Sequence, residues 1–151
     1  MKIHLLQREQ WLPAPIEQVF AFFGAAANLE KITPPWLRFR ILPPPVDDMQ
    51  AGTLIHYRLS LHWVPIRWVT EINEWRPPFR FVDVQKRGPY ALWEHTHEFE
   101  QERGGTRMRD CVRYALPLGW LGTVVHGLFV RRDLNAIFDY RARQVQAIFS
   151  R

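Results

Sequence analysis

Cys111 is the only cysteine among 151 residues. One thiol excludes an internal disulfide framework and any metal knuckle built on paired cysteines, and it fits a reducing compartment. Lysine is scarce too: Lys2, Lys31 and Lys86 apart, arginine supplies the 20 basic side chains. They are scattered, with Arg131-Arg132 the only adjacent arginines, so the chain has no compact basic run of the kind that grips a phosphate backbone, and no nucleic-acid partner is expected. No apolar stretch approaches the ~18 residues that a membrane span needs, and Met1-Lys2-Ile3-His4 opens without the apolar core of a signal peptide. The expectation is a cytoplasmic protein without integral membrane contact. Also missing are a Gly-rich dinucleotide loop, a phosphate-binding P-loop, a nucleophile elbow, internal repeats and low-complexity tracts, which disfavours nucleotide-driven and covalent hydrolytic chemistry.

Apolar and aromatic side chains are what the chain has in quantity. Hydrophobic residues make up 47% and aromatic residues 14%, including seven tryptophans, so a thick core or the wall of an apolar pocket is within reach of one domain spanning 1–151. The 20 basic against 15 acidic residues leave a net charge of +5, which keeps a membrane-surface or interaction module among the readings.

Punctuation along the chain sets the element order. Lys2 to Leu12 reads as a strand stopped by Pro13 and Pro15. Ile16, Val19, Phe20 and Phe23 recur at helical spacing, and a second short helix is expected from Asn28 to Ile32 before Pro34-Pro35. Arg38 to Leu42 is a short candidate strand. Five strand-like runs follow: 53–63, 66–75, 79–87, 90–101 and 106–116, the last two joined by Arg103-Gly104-Gly105. From Leu121 to Phe149 apolar residues recur every three or four positions, which predicts one long amphipathic helix.

Several motifs carry a resemblance that covers essentially the whole chain. They are Leu12-Pro13-Ala14-Pro15 before Val19-Phe20-Ala21-Phe22-Phe23, Ile32-Thr33-Pro34-Pro35, Trp75-Arg76-Pro77-Pro78, Gly88-Pro89-Tyr90, Trp93-Glu94-His95-Thr96-His97-Glu98-Phe99, Gly105-Thr106-Arg107-Met108-Arg109-Asp110, Leu116-Pro117-Leu118-Gly119 and Ile137-Phe138-Asp139-Tyr140-Arg141. On these the chain resembles the START-like helix-grip (SRPBCC) superfamily, and within it a bacterial ligand-binding group related to polyketide cyclases/dehydrases and lipid-transport proteins. The resemblance implies an α+β helix-grip fold: a curved antiparallel sheet of about six to seven strands wrapped around a long C-terminal helix, with two short helices after the first strand. It also implies a cavity between sheet and helix for a small hydrophobic molecule such as a lipid, polyketide or quinone. It implies no cofactor and no metal, and both monomers and dimers occur among such proteins.

Strand alternation selects the residues that share that cavity. One face of 90–101 carries Ala91, Trp93, His95, His97 and Phe99, and one face of 106–116 carries Met108, Asp110, Val112, Tyr114 and Leu116, while the opposite faces are charged. Closing the hairpin near Arg103-Gly104 sets His97 beside Asp110 and Trp93 beside Tyr114. The candidate ligand-binding set is therefore Trp93, His95, His97, Asp110 and Tyr114, with Tyr57 and Trp68 as wall residues and Gln85 at the cavity mouth. Asp110 facing a histidine is how an acid/base pair is built, so a cyclase-like enzyme with His97 as base, Asp110 as its orienter and Tyr114 as proton donor stands beside a binding-only protein. A satisfied structural cluster explains the same residues, and Gln85 equally suits a hydrogen bond fixing its turn. His95 and His97, two apart on one strand, also have a metal-like spacing with Asp110 as third ligand, a weaker reading. On the last helix Arg132, at the edge of the apolar stripe, is a candidate for meeting an acidic ligand group, and Asp139 and Arg141 read as surface pairs.

Overall fold

A computed structural model describes residues 1–151. Seven strands form one antiparallel sheet in the order β1-β7-β6-β5-β4-β3-β2. They are β1 (His4–Leu12), β2 (Arg40–Leu42), β3 (Leu54–Leu61), β4 (Val64–Arg76), β5 (Arg80–Arg87), β6 (Leu92–Glu102) and β7 (Gly105–Ala115). Apart from β1, which returns to pair with β7, every strand lies beside its neighbour in sequence, as short loops require. Two register shifts in the long β4, at Val69/Thr70 and Ile72/Glu74, add the local twist that curves the sheet.

The helices follow the expected order. Helix α1 (Ile16–Phe23) starts after Pro15, whose fixed φ suits the helix entrance, and buries Ile16, Val19, Phe20 and Phe23 against the sheet. A 3-10 turn (Ala26–Asn28) leads into the single turn of α2 (Leu29–Ile32). At the C-terminus α3 (Gly119–Val125), a π segment (His126–Val130) and α4 (Arg131–Phe149) run on without leaving helical backbone angles, giving one helix of 31 residues.

The helix departs from its expected burial in one respect. Leu134, Phe138 and Val145 of α4 are buried, but Leu121, Val124, Val125, Leu128 and Phe129 are exposed, although their spacing reads as a core stripe. The sheet ends before it reaches them: β7 stops at Ala115, and of this half Gly122 and His126 are buried and Val130 is partly so. Gly122 is held so close that a β-carbon there would lie 2.2 Å from the Pro117 carbonyl oxygen.

The principal core cluster joins α1, the inner faces of β3 to β7 and Val145 of α4. Two smaller clusters, around Val112/Tyr114/Leu134/Phe138 and Leu37/Leu59/Trp68, flank it. Between them the concave side of the sheet and the C-terminal helix are not filled.

Candidate functional site in the cavity between sheet and helix

The space left there is a cavity of about 180 Å³. An aromatic wall forms one side. Trp68 stacks on Tyr57 with ring centroids 5.9 Å apart and meets Trp93 edge-on at 5.3 Å, while Tyr90 lies 4.8 Å from Trp93. Tyr57 shares a hydrogen bond of 3.1 Å with Thr70, and burial pushes its phenol well above the usual range, so it stays neutral.

The opposite side is charged. Register sets His97 across from Asp110 on β7 and from Phe81 on β5, and sets His95 across from Asp83. His97 Nε2 donates to Asp83 Oδ2 at 2.7 Å, and His95 Nε2 donates to Asp110 Oδ1 at 2.7 Å. The Asp110 oxygen also lies 3.4 Å from His97 Nδ1 and 3.7 Å from Arg141 Nη2, which α4 sends in from the far side. The rings form a column: Phe81 on His97 at 4.0 Å, His97 on His95 at 3.7 Å, and Phe138 5.6 Å beyond His95. The Arg141 guanidinium lies over Phe23 at 5.2 Å and Phe138 at 5.7 Å, a cation on two aromatic faces.

Electrostatics separate the two histidines. Burial would pull both down, but His97 lies between Asp110 and Asp83, whose hydrogen bonds and charges outweigh burial and raise it above 6.5. Burial, reinforced by the charge of His97, lowers His95 below 6.5 despite its bond to Asp110. Burial also works against both carboxylates, yet Arg141 and the two histidines hold Asp110 well below 3.8, and the His97 bond lowers Asp83. The two carboxylates are thus faced by Arg141 and by His97, the histidine that keeps its proton to the higher pH, while His95 gives its proton up first. Buried ions persist only when matched in this way.

Of the eight candidate residues, Trp93, His95, His97, Tyr57 and Trp68 line the cavity. Asp110 is one layer behind, bonded to His95. Tyr114 and Gln85 are placed elsewhere. The Tyr114 hydroxyl is hydrogen-bonded to His126 of the π segment at 2.7 Å, which turns it from the cavity and from the proton-donor role considered for it. Gln85 donates to the Tyr90 carbonyl at 2.8 Å and accepts from the Tyr90 amide at 3.1 Å, so it clasps the β5–β6 turn instead of standing at a cavity mouth. Arg132 is exposed and Arg141 is the cavity arginine. Arg141 follows Leu134 and Phe138 and precedes Val145 at spacings of four, three and four, which marks it as part of the buried stripe. Nothing local in the 79–87 run marks Asp83, because its partner His97 lies on a different strand.

Asp83, His95 and His97 each offer one ligand atom within 4.8 Å of the others, the group best suited to draw in a cation, and in place of Asp110 it is Asp83 that completes the trio. The same atoms are already paired among themselves and face a guanidinium, which opposes a second cation.

A curved antiparallel sheet gripping a long C-terminal helix defines the helix-grip class of protein. The chain belongs to the family described as polyketide cyclase / dehydrase and lipid transport, which matches residues 12–139. Its fold is shared by protein CV1439 from Chromobacterium violaceum (TM-score 0.75, 14% identity, 97% of each chain covered). Protein Ms6760 from Mycobacterium smegmatis gives a TM-score of 0.71 at 15% identity, covering 99% of this chain and 97% of that one. TTHA0849 from Thermus thermophilus gives 0.67 at 22% identity, covering 96% and 99%. No curated protein matches the chain.

Proposed function

We propose that the chain binds a small hydrophobic molecule with an oxygen-bearing head, its apolar body against Trp68, Tyr57 and Trp93 and its head at Arg141 and the histidines. One observation carries this reading: Trp68 Nε1, Arg141 Nη2 and His97 Nδ1 are sealed from solvent without a well-formed hydrogen bond, the last two reaching only the Asp110 oxygen at 3.7 and 3.4 Å, and all three residues line the same cavity. A buried donor left unpaired, as Trp68 Nε1 is, costs roughly 1–3 kcal/mol, and an acceptor oxygen on a ligand would relieve that cost and shorten the long contacts of the other two. The cavity is of the size that takes a benzene-scale body, about 150 Å³.

The split between the histidines favours a second reading, a cyclase- or dehydratase-like enzyme. Two neighbouring titratable groups driven apart are the usual basis of acid/base assignments. The roles then differ from those the sequence suggests: His95, whose pKa is lowered, is the better suited of the two to accept a proton, His97, whose pKa is raised, the better suited to donate one, and Asp110 and Asp83 hold their rings in place.

Native mass spectrometry of freshly purified protein, followed by organic extraction, tests for a stoichiometric apolar passenger. Titration with 2-naphthoate followed by tryptophan fluorescence tests the head group. Arg141→Gln is expected to weaken naphthoate by at least about tenfold, the worth of one charge-assisted hydrogen bond. Ile137→Trp, which fills the cavity from α4, is expected to abolish binding. Unchanged affinity in both variants, with the fold intact by circular dichroism, would remove this cavity as the ligand site.

A further inference from the structure

The exposed apolar half of the C-terminal helix is unexplained by the cavity. Trp120, Leu121, Val124, Val125, Leu128 and Phe129 repeat in adjacent pairs four residues apart and form one outward stripe, with Trp120 78% exposed. Scattered surface hydrophobics need no explanation, but a contiguous stripe of this kind does. Its length settles what it is not, since no helix of the chain is long and apolar enough to cross a membrane.

A second element adds to it. The β3–β4 hairpin turns through His62 and Trp63, both left-handed at φ 48° and 73°, where Asn or Gly is the usual choice. Trp63 is 83% exposed at this tip, beside exposed Val64. His62 is hydrogen-bonded to Asp133 at 2.6 Å, and Asp133 follows Phe129 by four residues, so the tip stands at the end of the helical stripe. Strain spent on presenting a tryptophan to solvent points to a use for it.

Charge identifies the occupant. Between Asp110 and Asp133 there is no acidic residue. Arg131 and Arg132 follow the stripe directly, both exposed and neither in an ion pair, and Lys2 and Arg131 both act on His4 and His126 beneath it. A tryptophan-bearing apolar face edged with unpaired cations is suited to lie at the headgroup level of an anionic lipid surface. A second copy of this chain would bring the same cations together.

We propose that α3, the π segment and the β3–β4 tip form a peripheral docking surface for anionic lipid bilayers. The surface leads to the cavity, because Leu61 precedes the tip on β3 and Leu134 and Ile137 follow the stripe, and all three are cavity wall. Docking nevertheless does not depend on any cavity ligand.

The test is co-sedimentation with large unilamellar vesicles of phosphatidylcholine alone and of phosphatidylcholine with about a quarter phosphatidylglycerol. Binding is expected to the anionic vesicles and to fall steeply with salt. Arg131→Gln/Arg132→Gln should weaken it about fivefold per arginine at low salt. Trp120→Ser/Leu128→Ser/Phe129→Ser should abolish it, and Trp63→Ser, at an exposed turn outside the core, should weaken it severalfold with the circular dichroism spectrum unchanged. Failure to bind anionic vesicles, or equal binding by the serine variants, would overturn the proposal. So would a stable dimer in solution that the triple-serine variant dissolves, which would assign the stripe to self-association.

Discussion

His95 and His97 show how two identical side chains 3.7 Å apart acquire opposite tendencies, His95 from burial beside His97, and His97 from two flanking carboxylates that outweigh its burial. His97 has a folded value above 6.5, so its contribution to stability is complete below pH 6.5 and is lost as pH rises through the folded value. His95 is lowered, so its contribution is present above pH 6.5 and shrinks as pH falls through its folded value. Asp83 and Asp110 are lowered as well, and the stability they lend is present above pH 3.8 and lost in stronger acid. Imidazole NMR resonances are expected to titrate on opposite sides of pH 6.5, assigned through His95→Gln and His97→Gln; a common midpoint would refute the charge balance. Asp110→Asn removes the counter-charge shared by Arg141 and both rings, and should lower the urea-derived stability by about 3–5 kcal/mol while bringing His97 down. Much of this cluster is written in the strands, because alternation alone sets Trp93, His95 and His97 on one face and the Arg103-Gly104 turn sets His97 opposite Asp110, as the register has it. Asp83 and Arg141 are harder to read because each reaches its partner from another element, β5 and α4, and no local pattern encodes that approach. Tyr114 misleads for a related reason: its face is right, but a histidine twelve residues on takes its hydroxyl.

The elements themselves were legible wherever proline, glycine and periodicity agree. Helix α1 after Pro15 and the β6–β7 hairpin at Arg103-Gly104, left-handed at φ 50° and 74°, are where the pattern sets them. The β3–β4 hairpin differs: Pro65 suggests the break, whereas the chain turns at His62-Trp63 and Pro65 pairs with Ser60 within the strands. Neither turn residue is of the type the geometry favours, so local rules had nothing to detect. Trp63→Gly is accordingly expected to stabilise the fold by roughly 1 kcal/mol, or about 2–4 °C in melting temperature, while weakening vesicle association. A drop in melting temperature would mean that the contact of Arg38 over the Trp63 ring, at 5.2 Å, outweighs the backbone strain. The apolar half of the C-terminal helix was equally opaque, since periodicity reveals an apolar stripe without revealing whether anything covers it.

Across the sheet the arginines differ in their partners from one end to the other. Arg107 with Glu102, Arg109 with Glu9 and Glu100, and Arg113 with Glu94 lace β1, β6 and β7 together. Arg40, Arg58 and Arg67 instead lie in register across β2, β3 and β4 with no ion-pair partner. The cavity has a further consequence in a different variable, compression. Unfolding eliminates whatever part of this cavity stays dry, so the unfolded chain occupies less volume, by an amount within the roughly 20–100 mL/mol usual for domains. Hydrostatic pressure should therefore unfold the empty protein readily, and filling the void, by a ligand or by Ile137→Trp, should move the midpoint to higher pressure even where the melting temperature barely changes. High-pressure tryptophan fluorescence makes the void a measurable quantity before any ligand has been identified.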